Sequence, residues 1–491
     1  MSCSYCWTKL LASLMGPTSC AHWETLPPQL VRPMSTKLLS RVSAFVEGIG
    51  IGSGVKISVA THTIPISGES STLNPSLDGN QTDSALDAEA LIQHRRQFSS
   101  LAGKRYFNYG GQGPMADSAI AALSDGQKTI QMKGPFSAEV YEWITEEGRL
   151  VRDAIASTLG VTAETITLTE NVTVGCNIPM WGLPWKAGDH ILMGDCEHPG
   201  IIAAVRELCR RYEVTVSTCP LSDLLQGGDP VEIIQQGLRA ETRLVVISHI
   251  LWNTGQVLPI KELAALCHDH SSKTRLLVDA AQSVGSLPLD QTGWRLSETE
   301  VDFYAFTGHK WLGGPAGLGG LYTRPAVFEE TVPTYIGWRG VEVDGTGEPT
   351  GWESTGRKYE VATSDYSLWG SLREAIAVQD SWGDSQARYN RICSLSRKLW
   401  EGLREMLHVR CVLQDAPPPS GLVSFQLLDA DGTPDFEQHG ALAKQLEGEK
   451  IYVRTLLSPN CVRACVHYLT TAEEIDDLII RIQTVAEKFG G

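Results

Sequence analysis

Five short runs in this 491-residue chain carry hydrogen-bonding or ionisable side chains directly after a β-rich stretch. In chain order they are Thr169-Glu-Asn-Val-Thr-Val-Gly175, Gly194-Asp-Cys-Glu-His198, Ser248-His-Ile-Leu-Trp-Asn253, Asp279-Ala-Ala-Gln282 and Thr307-Gly-His-Lys310. The last run suits an amine that attacks an aldehyde. Lys310 has a hydroxyl three positions before it, a histidine directly before it and Gly-Gly soon after. Crowding and partial loss of water strip the proton from such an amine and make it a nucleophile. Taken alone, a lysine after a strand is usually a solvated surface residue. Asp279 shifts the balance: it ends an apolar strand with Ala-Ala behind it, so it reads as a largely buried carboxylate in need of a partner. A pyridinium N–H is one such partner, because the acid keeps that nitrogen protonated and the ring electron-withdrawing. Capping the next helix is the other reading of the same residue.

The elements that must position these groups are legible from periodicity. Strand patterns fall at 166–169, 191–193, 214–217, 244–248, 276–278 and 303–306, with helical patterns between several of them, such as 200–212 and 260–268. Strands apolar on both faces that alternate with helices imply a largely parallel sheet covered on both sides, and ligands bind outside the carboxyl ends of such strands. Upstream, a helical pattern over 86–98 leads into the glycine-rich turn Tyr106-Phe-Asn-Tyr-Gly-Gly-Gln-Gly-Pro114, where backbone bends tightly or approaches something closely. A long amphipathic helix is expected over 137–159. Beyond about residue 340 the pattern changes to strands at 422–427, 451–453 and 463–468, closed by a helix that opens with the capping box Thr471-Ala-Glu-Glu474 and runs to Phe489. The whole is an α/β domain followed by a smaller α+β domain.

Bulk properties restrict the function classes. A net charge of −16 argues against a nucleic-acid partner. No apolar run reaches the roughly 20 residues of a membrane span. The twelve cysteines are scattered without a repeated metal-ligand spacing, so no metal site is expected and reduced thiols are the simple reading. Residues 1–62 hold five Lys/Arg and only Glu24 and Glu47 as acids, and are rich in Ser and Thr. That is the composition of an organelle transit peptide, a tail of no consequence being the plain alternative. Residues 63–85 read as linker.

Asp279-x-x-Gln282 followed by Thr307-Gly-His-Lys310 resembles the class V aminotransferase and cysteine desulfurase superfamily of pyridoxal 5′-phosphate (PLP) enzymes. The resemblance runs from about Tyr106 to the C-terminus. It implies the aspartate aminotransferase-like architecture (PLP fold type I) and a homodimer with active sites near the subunit interface. The implied division is an N-terminal segment, 86–125, packing on the small domain, a large PLP-binding domain, 126–340, and a small domain, 341–491. The resemblance implies that Lys310 holds PLP as a Schiff base, Asp279 pairs with the pyridine nitrogen, Gln282 hydrogen-bonds the ring hydroxyl oxygen and His198 stacks on the ring. Thr173 and the backbone at Val174 match a helix-start phosphate loop, where free N–H groups meet an anion. Thr307 and His309 match further phosphate ligands, and Thr363 one donated across the dimer. Asn253 matches a residue near the substrate carboxylate or the ring oxygen. Arg454 and Arg463 match carboxylate-binding arginines, a task that guanidinium geometry suits.

Cysteine desulfurases carry a nucleophilic cysteine on a mobile loop near those arginines. Here the loop after the first arginine reads Arg454-Thr-Leu-Leu-Ser-Pro-Asn-Cys461, with Pro459 near its middle and its only thiol at the far end. Asp195-Cys-Glu-His-Pro-Gly-Ile-Ile202, Leu251-Trp-Asn-Thr-Gly-Gln-Val-Leu-Pro259, Phe306-Thr-Gly-His-Lys-Trp311 and Cys461-Val-Arg-Ala-Cys465 are similar to the cyst(e)ine C–S lyases of cyanobacteria. That resemblance implies β-elimination of L-cystine or L-cysteine to pyruvate, ammonia and a persulfide or sulfide, with Lys310 as the base and no enzyme nucleophile. Cys461, Cys465 and Cys196 are then structural thiols. A desulfurase, a transaminase or an epimerase is the alternative. A sulfur-acceptor protein is an expected partner beside the small amino-acid substrate. Trp338-Arg339 and Trp352 are candidates for the substrate mouth. A plastid is the favoured address, with mitochondrion or cytosol as alternatives.

Overall fold

The structure is a computed structural model that describes residues 85–489. The expected transit segment and all but the last residue of the expected linker lie outside the described residues.

Helix α1 (Ala85–Arg95) and the two-residue strand β1 (Arg105–Tyr106) precede two helices, α2 (Asp117–Lys133) and α3 (Ala138–Leu159). Helix α3 starts where the side chain of Ser137 accepts the Val140 N–H at 3.1 Å and ends at Gly160, whose φ of 66° is left-handed. Its buried stripe is Val140, Ile144, Val151, Ile155 and Leu159, at helical spacing.

The seven central strands follow: β2 (Ile166–Thr169), β3 (His190–Gly194), β4 (Thr215–Cys219), β5 (Thr242–Ser248), β6 (Arg275–Asp279), β7 (Phe303–Thr307) and β8 (Gly319–Thr323). They form one sheet in the order β2-β8-β7-β6-β5-β3-β4. Pairings are parallel from β7 through β6, β5 and β3 to β4, whereas β8 runs antiparallel to both neighbours. All the strands expected before residue 307 are present. Strand β8 is an addition that no apolar run announced. Two of its five residues are glycines because it passes tightly over its neighbour: a Cβ at Gly319 would lie 2.4 Å from the Phe306 carbonyl oxygen, and one at Gly320 2.7 Å from the Phe306 ring. Crossover helices α4 (Val172–Gly182), α5 (Pro199–Tyr212), α6 (Pro230–Gly237) and α7 (Ile260–His270) connect these strands.

A hairpin of β9 (Val341–Val343) and β10 (Pro349–Trp352) leads to α8 (Ser367–Trp382) and α9 (Ser385–Arg404). Although it follows the expected boundary at 340, α8 packs on α2 and α3. Ser371 Oγ donates to the Ala119 carbonyl at 2.7 Å, and a Cβ on Gly148 would lie 2.9 Å from the Trp369 ring. The last sheet is antiparallel. Its strands are β11 (Val409–Cys411), β12 (Leu422–Leu427), β14 (Arg454–Leu457) and β15 (Asn460–Cys465), in the order β11-β12-β15-β14. Helices α9, α10 (Phe436–Gly448) and α11 (Ala472–Phe489) bury Leu399, Leu446 and Leu478 against Val423, Phe425 and Val462 of that sheet. The capping box forms reciprocally: Thr471 Oγ1 accepts the Glu474 N–H at 3.2 Å, and Glu474 Oε2 accepts the Thr471 N–H at 2.9 Å. Strand β13 (Ile451–Tyr452) pairs in parallel with β1, joining the beginning of the described chain to its C-terminal part.

Candidate active site

The carboxyl ends of the central strands converge on a cleft of about 210 Å³. Its wall includes Thr173 at the start of α4, His198 at the cap of α5, Ser248 at the end of β5, Asp279 at the end of β6, and Gln282 and Lys310 beyond β6 and β7. Arg454 and Arg463 from β14 and β15 close it from the small sheet, and Gly110–Gly111 from the glycine-rich turn. The turn approaches as closely as its glycines suggest. A Cβ on Gly113 would lie 2.2 Å from the Lys310 carbonyl oxygen, and one on Gly110 would lie 2.8 Å from Arg463 Nη2.

Burial lowers the Lys310 ammonium to about 8, against the opposing charge of Asp279; Arg463 and Arg454 add to the lowering. At pH 7 that leaves roughly one amine in ten unprotonated, where an ordinary lysine would offer about one in three thousand. Asp279 is 6% exposed, and burial raises its carboxyl above the usual range. Its Oδ1 accepts the Ala281 N–H at 2.9 Å in a turn rather than at a helix start, since no helix follows Asp279 directly, and its other oxygen makes no hydrogen bond among the described residues. Among the described residues no Lys, Arg or His lies within ion-pairing distance of it.

Gln282 is oriented by a neighbour that sequence reasoning missed. The indole N–H of Trp311, which can only donate, binds Gln282 Oε1 at 2.8 Å. The amide nitrogen therefore faces the other way, donating to the Gly110 carbonyl at 3.0 Å with one N–H left for an acceptor. His198 accepts the Gly200 N–H on Nδ1 at 3.2 Å, which assigns its proton to Nε2, and burial lowers its pKa. Its ring meets Trp252 edge-on at 6.0 Å. Arg463 is only 2% exposed. Its Nη1 donates to the Trp252 carbonyl at 2.7 Å, its Nε has no partner, and among the described residues no carboxylate pairs with it. A buried, incompletely bonded guanidinium is a site for an anion.

The other expected ligands fall off the cleft wall. The Val174 N–H is taken by Asn171 Oδ1 at 3.1 Å, the cap of α4. Thr307, buried, shares a 2.6 Å hydrogen bond with His309 Nδ1. Thr363 is exposed. Asn253 is turned aside: its Nδ2 donates to the Ser458 carbonyl at 3.0 Å and Ser424 Oγ donates to its backbone carbonyl at 2.7 Å, while its Oδ1 is buried without a partner. Arg339 is buried in ion pairs that tie Glu360 to it and to Arg152, so it lines no mouth; Trp338 and Trp352 stay exposed.

Cys461 and Cys465 are fully buried, and Cys196 is 9% exposed. Burial pushes the Cys461 thiol up to about 12 and raises that of Cys196 as well. The expected loop between the arginines is a correction: residues 454–465 form the β14–β15 hairpin, with only Ser458 and Pro459 between the strands. Among the described residues, no cysteine lines the cleft.

A sheet of this order, with a depressed lysine and an unpaired buried carboxylate at its strand ends and an anion-seeking arginine facing them from the small sheet, defines an enzyme of the PLP fold type I class. Residues 137–478 match the sequence profile of Aminotransferase class-V, and the chain belongs to that family. It is 29% identical over 389 residues to isopenicillin N epimerase of Streptomyces clavuligerus, covering 76% of this chain and 92% of that one. It is 31% identical over 346 residues to a cysteine desulfurase of Escherichia coli O7:K1, covering 67% and 79%. Two solved structures share 45% identity and a TM-score of 0.75. One is the cystine C–S lyase C-DES in complex with its reaction product cysteine persulfide, covering 80% of this chain and all of that one. The other is a lysine-to-alanine mutant of C-DES with glycine covalently linked to PLP, covering 81% and 99%.

PLP is the cofactor of this family, and the residues fit it. Asp279 has an oxygen free for the pyridine nitrogen, Gln282 an N–H for the ring oxygen, Lys310 a nucleophilic amine for the aldehyde, and Thr173 stands at a helix N-terminus for the phosphate. When bound, PLP supplies an electron sink that stabilises negative charge at the substrate α-carbon.

Proposed function

We propose that this protein is a PLP-dependent carbon–sulfur lyase that cleaves L-cystine, and less readily L-cysteine, by β-elimination. The observation that carries the reading is the β14–β15 hairpin: where a desulfurase needs a mobile loop with a nucleophilic thiol, this chain has a two-residue turn and a buried Cys461. Arg463 and Arg454 hold the substrate carboxylate. The Lys310 amine removes the α-proton, the Cβ–S bond breaks with its electron pair going to sulfur, and no enzyme atom binds that sulfur. With cystine and one water the products are cysteine persulfide, pyruvate and ammonia. The likeness to C-DES, described with cysteine persulfide as its reaction product, supports this substrate.

Two further readings belong to the proposal. Val332, Tyr335, Ile336, Trp338, Val343 and Trp352 are exposed in one stretch of chain, an apolar surface that suits the homodimer interface and would bring Thr363 to a neighbouring site. The basic, acid-poor composition of residues 1–62 supports a plastid address. The deciding experiment is a product assay on purified protein given L-cystine or L-cysteine. Pyruvate with ammonia, preferentially from cystine, is expected; alanine from cysteine would mean a desulfurase and overturn the reading.

A further inference from the structure

Directly before His198 stands a second acid, Glu197, only 3% exposed. Both its oxygens meet one residue: the Ser248 N–H donates to Oε1 at 3.0 Å, and Ser248 Oγ lies 2.7 Å from Oε2. The floor beneath it is close, since a Cβ on Gly194 would lie 2.6 Å from Oε1 and 2.7 Å from Leu221 Cδ1. Ser248 is itself opposite Asp279 in the β5–β6 register and lines the cleft. One carboxyl thus joins the turn carrying His198 to the strand end beside Asp279.

We propose that Glu197, clamped to Ser248, is a positioning residue that fixes the turn carrying His198 against the cofactor cleft. The inference rests on the PLP assignment and is independent of the substrate. Glu197 does this as a neutral acid. Its surroundings offer no compensating cation among the described residues: Asp279 faces it from β6, Asp195 and Cys196 from its own turn, Cys176 from α4 and Cys219 from β4. Burial pushes its carboxyl up to about 8; the Ser248 bonds oppose this, and the charges of Asp279 and Asp195 add to it. The protonated form keeps both contacts, with Oε1 accepting the Ser248 N–H and Oε2–H donating to Ser248 Oγ. It also leaves Asp279 as the buried anion available to the pyridine nitrogen, two neighbouring acids held in different charge states.

Glu197→Gln reproduces the neutral acid, accepting through Oε1 and donating through Nε2, whereas Glu197→Ala removes both contacts. The readouts are the PLP dissociation constant of the apo-protein and the circular dichroism of the bound cofactor, which demands a fixed ring environment. The Gln variant is expected within about threefold of wild type with its dichroic band intact, and the Ala variant about tenfold weaker with that band diminished, the scale of lost buried hydrogen bonds. Equal loss in both variants, or no loss in Ala, overturns the proposal. Because Ala leaves a hole that could compromise folding, Ser248→Ala provides the milder test. It deletes one contact and is expected to weaken the dichroic band in the same direction; an unchanged band overturns the clamp.

Thermal unfolding of the apo-protein tests the charge state. A carboxyl raised above its unfolded value contributes stability that is full below the ordinary glutamate range and lost as pH rises through about 8. Glu197→Gln removes that loss, so its advantage over wild type is expected to be larger near pH 9 than near pH 6. An equal difference at both would show Glu197 already ionised and overturn the neutral clamp.

Discussion

Gly113→Ala tests the closest contact in the active site. Its Cβ would stand 2.2 Å from the Lys310 carbonyl oxygen, where ordinary contact begins at 3.4 Å, so something must yield by about 1.2 Å. The obstacle is backbone, and no rotamer relieves it. The turn cannot simply retreat, because the Gly113 N–H donates to the His309 carbonyl at 2.8 Å and Tyr106 Oη holds the Gln112 carbonyl at 2.6 Å. The displacement therefore falls on the segment that carries Lys310. A shift of about 1 Å at a reacting group costs on the order of 10²-fold in rate, and overpacking of this kind costs about 1–3 kcal/mol in stability. The assay is pyruvate release from L-cystine, read beside the melting temperature and the absorption band of the lysine-bound cofactor. Gly440→Ala is the control, since no atom lies within 4 Å of a Cβ there and alanine favours helix α10. If Gly113→Ala retained kcat/KM within about threefold of wild type, the claim that this glycine sets the position of Lys310 would be wrong.

Three further outcomes are expected. The rate at which PLP loads onto apo-protein should rise with pH and level off above about 8, because the neutral Lys310 amine is the reacting form; a midpoint near the ordinary lysine value would contradict its depression. Cys461→Ser should leave pyruvate formation within about threefold of wild type, since the thiol is buried away from the cleft, whereas a loss of several orders of magnitude would restore an enzyme-bound persulfide. Arg463→Lys keeps the charge but loses the planar fork, and kcat/KM for cystine should fall about 10–100-fold, chiefly through KM; an unchanged KM would free Arg463 from carboxylate binding.

The inner parallel strands β3, β5, β6 and β7 were legible because each had to be apolar on both faces, a demand that leaves a continuous run in the sequence, whereas β4 at the sheet edge is largely exposed. Strand β8 escaped the same reading because close approach to Phe306 demands glycine where β-branched residues would have signalled a strand. The β14–β15 hairpin was read as a loop around Ser458-Pro459, which marks a turn without revealing that both flanks are paired. Lys310 and Asp279 stood out from residue type and position after a strand, Gln282, His198, Thr173 and the two arginines only through the family resemblance, and all seven line one cleft. Asn253 did not, since its carboxamide is held by the Ser458 carbonyl, 205 residues away, and its backbone by Ser424. Glu197 and Trp311 stood inside motifs already quoted, yet nothing in spacing tells which side chain in a run turns inward to hold its neighbours.

The pairing of β1 with β13 has a consequence for biosynthesis. Arg105 and Tyr106 find their partners only at Ile451 and Tyr452, and Gly110 meets Arg463 later still. A ribosome adding about 5–20 residues per second needs roughly 20 to 70 s to cover the intervening stretch. Through that interval the glycine-rich turn has no small sheet to rest on, and the cleft lacks one wall. Emergence of β13 to β15, rather than of the central sheet, is therefore the event that completes a cofactor-competent pocket. A nascent chain arrested before residue 451 should fold its central strands and still fail to retain PLP.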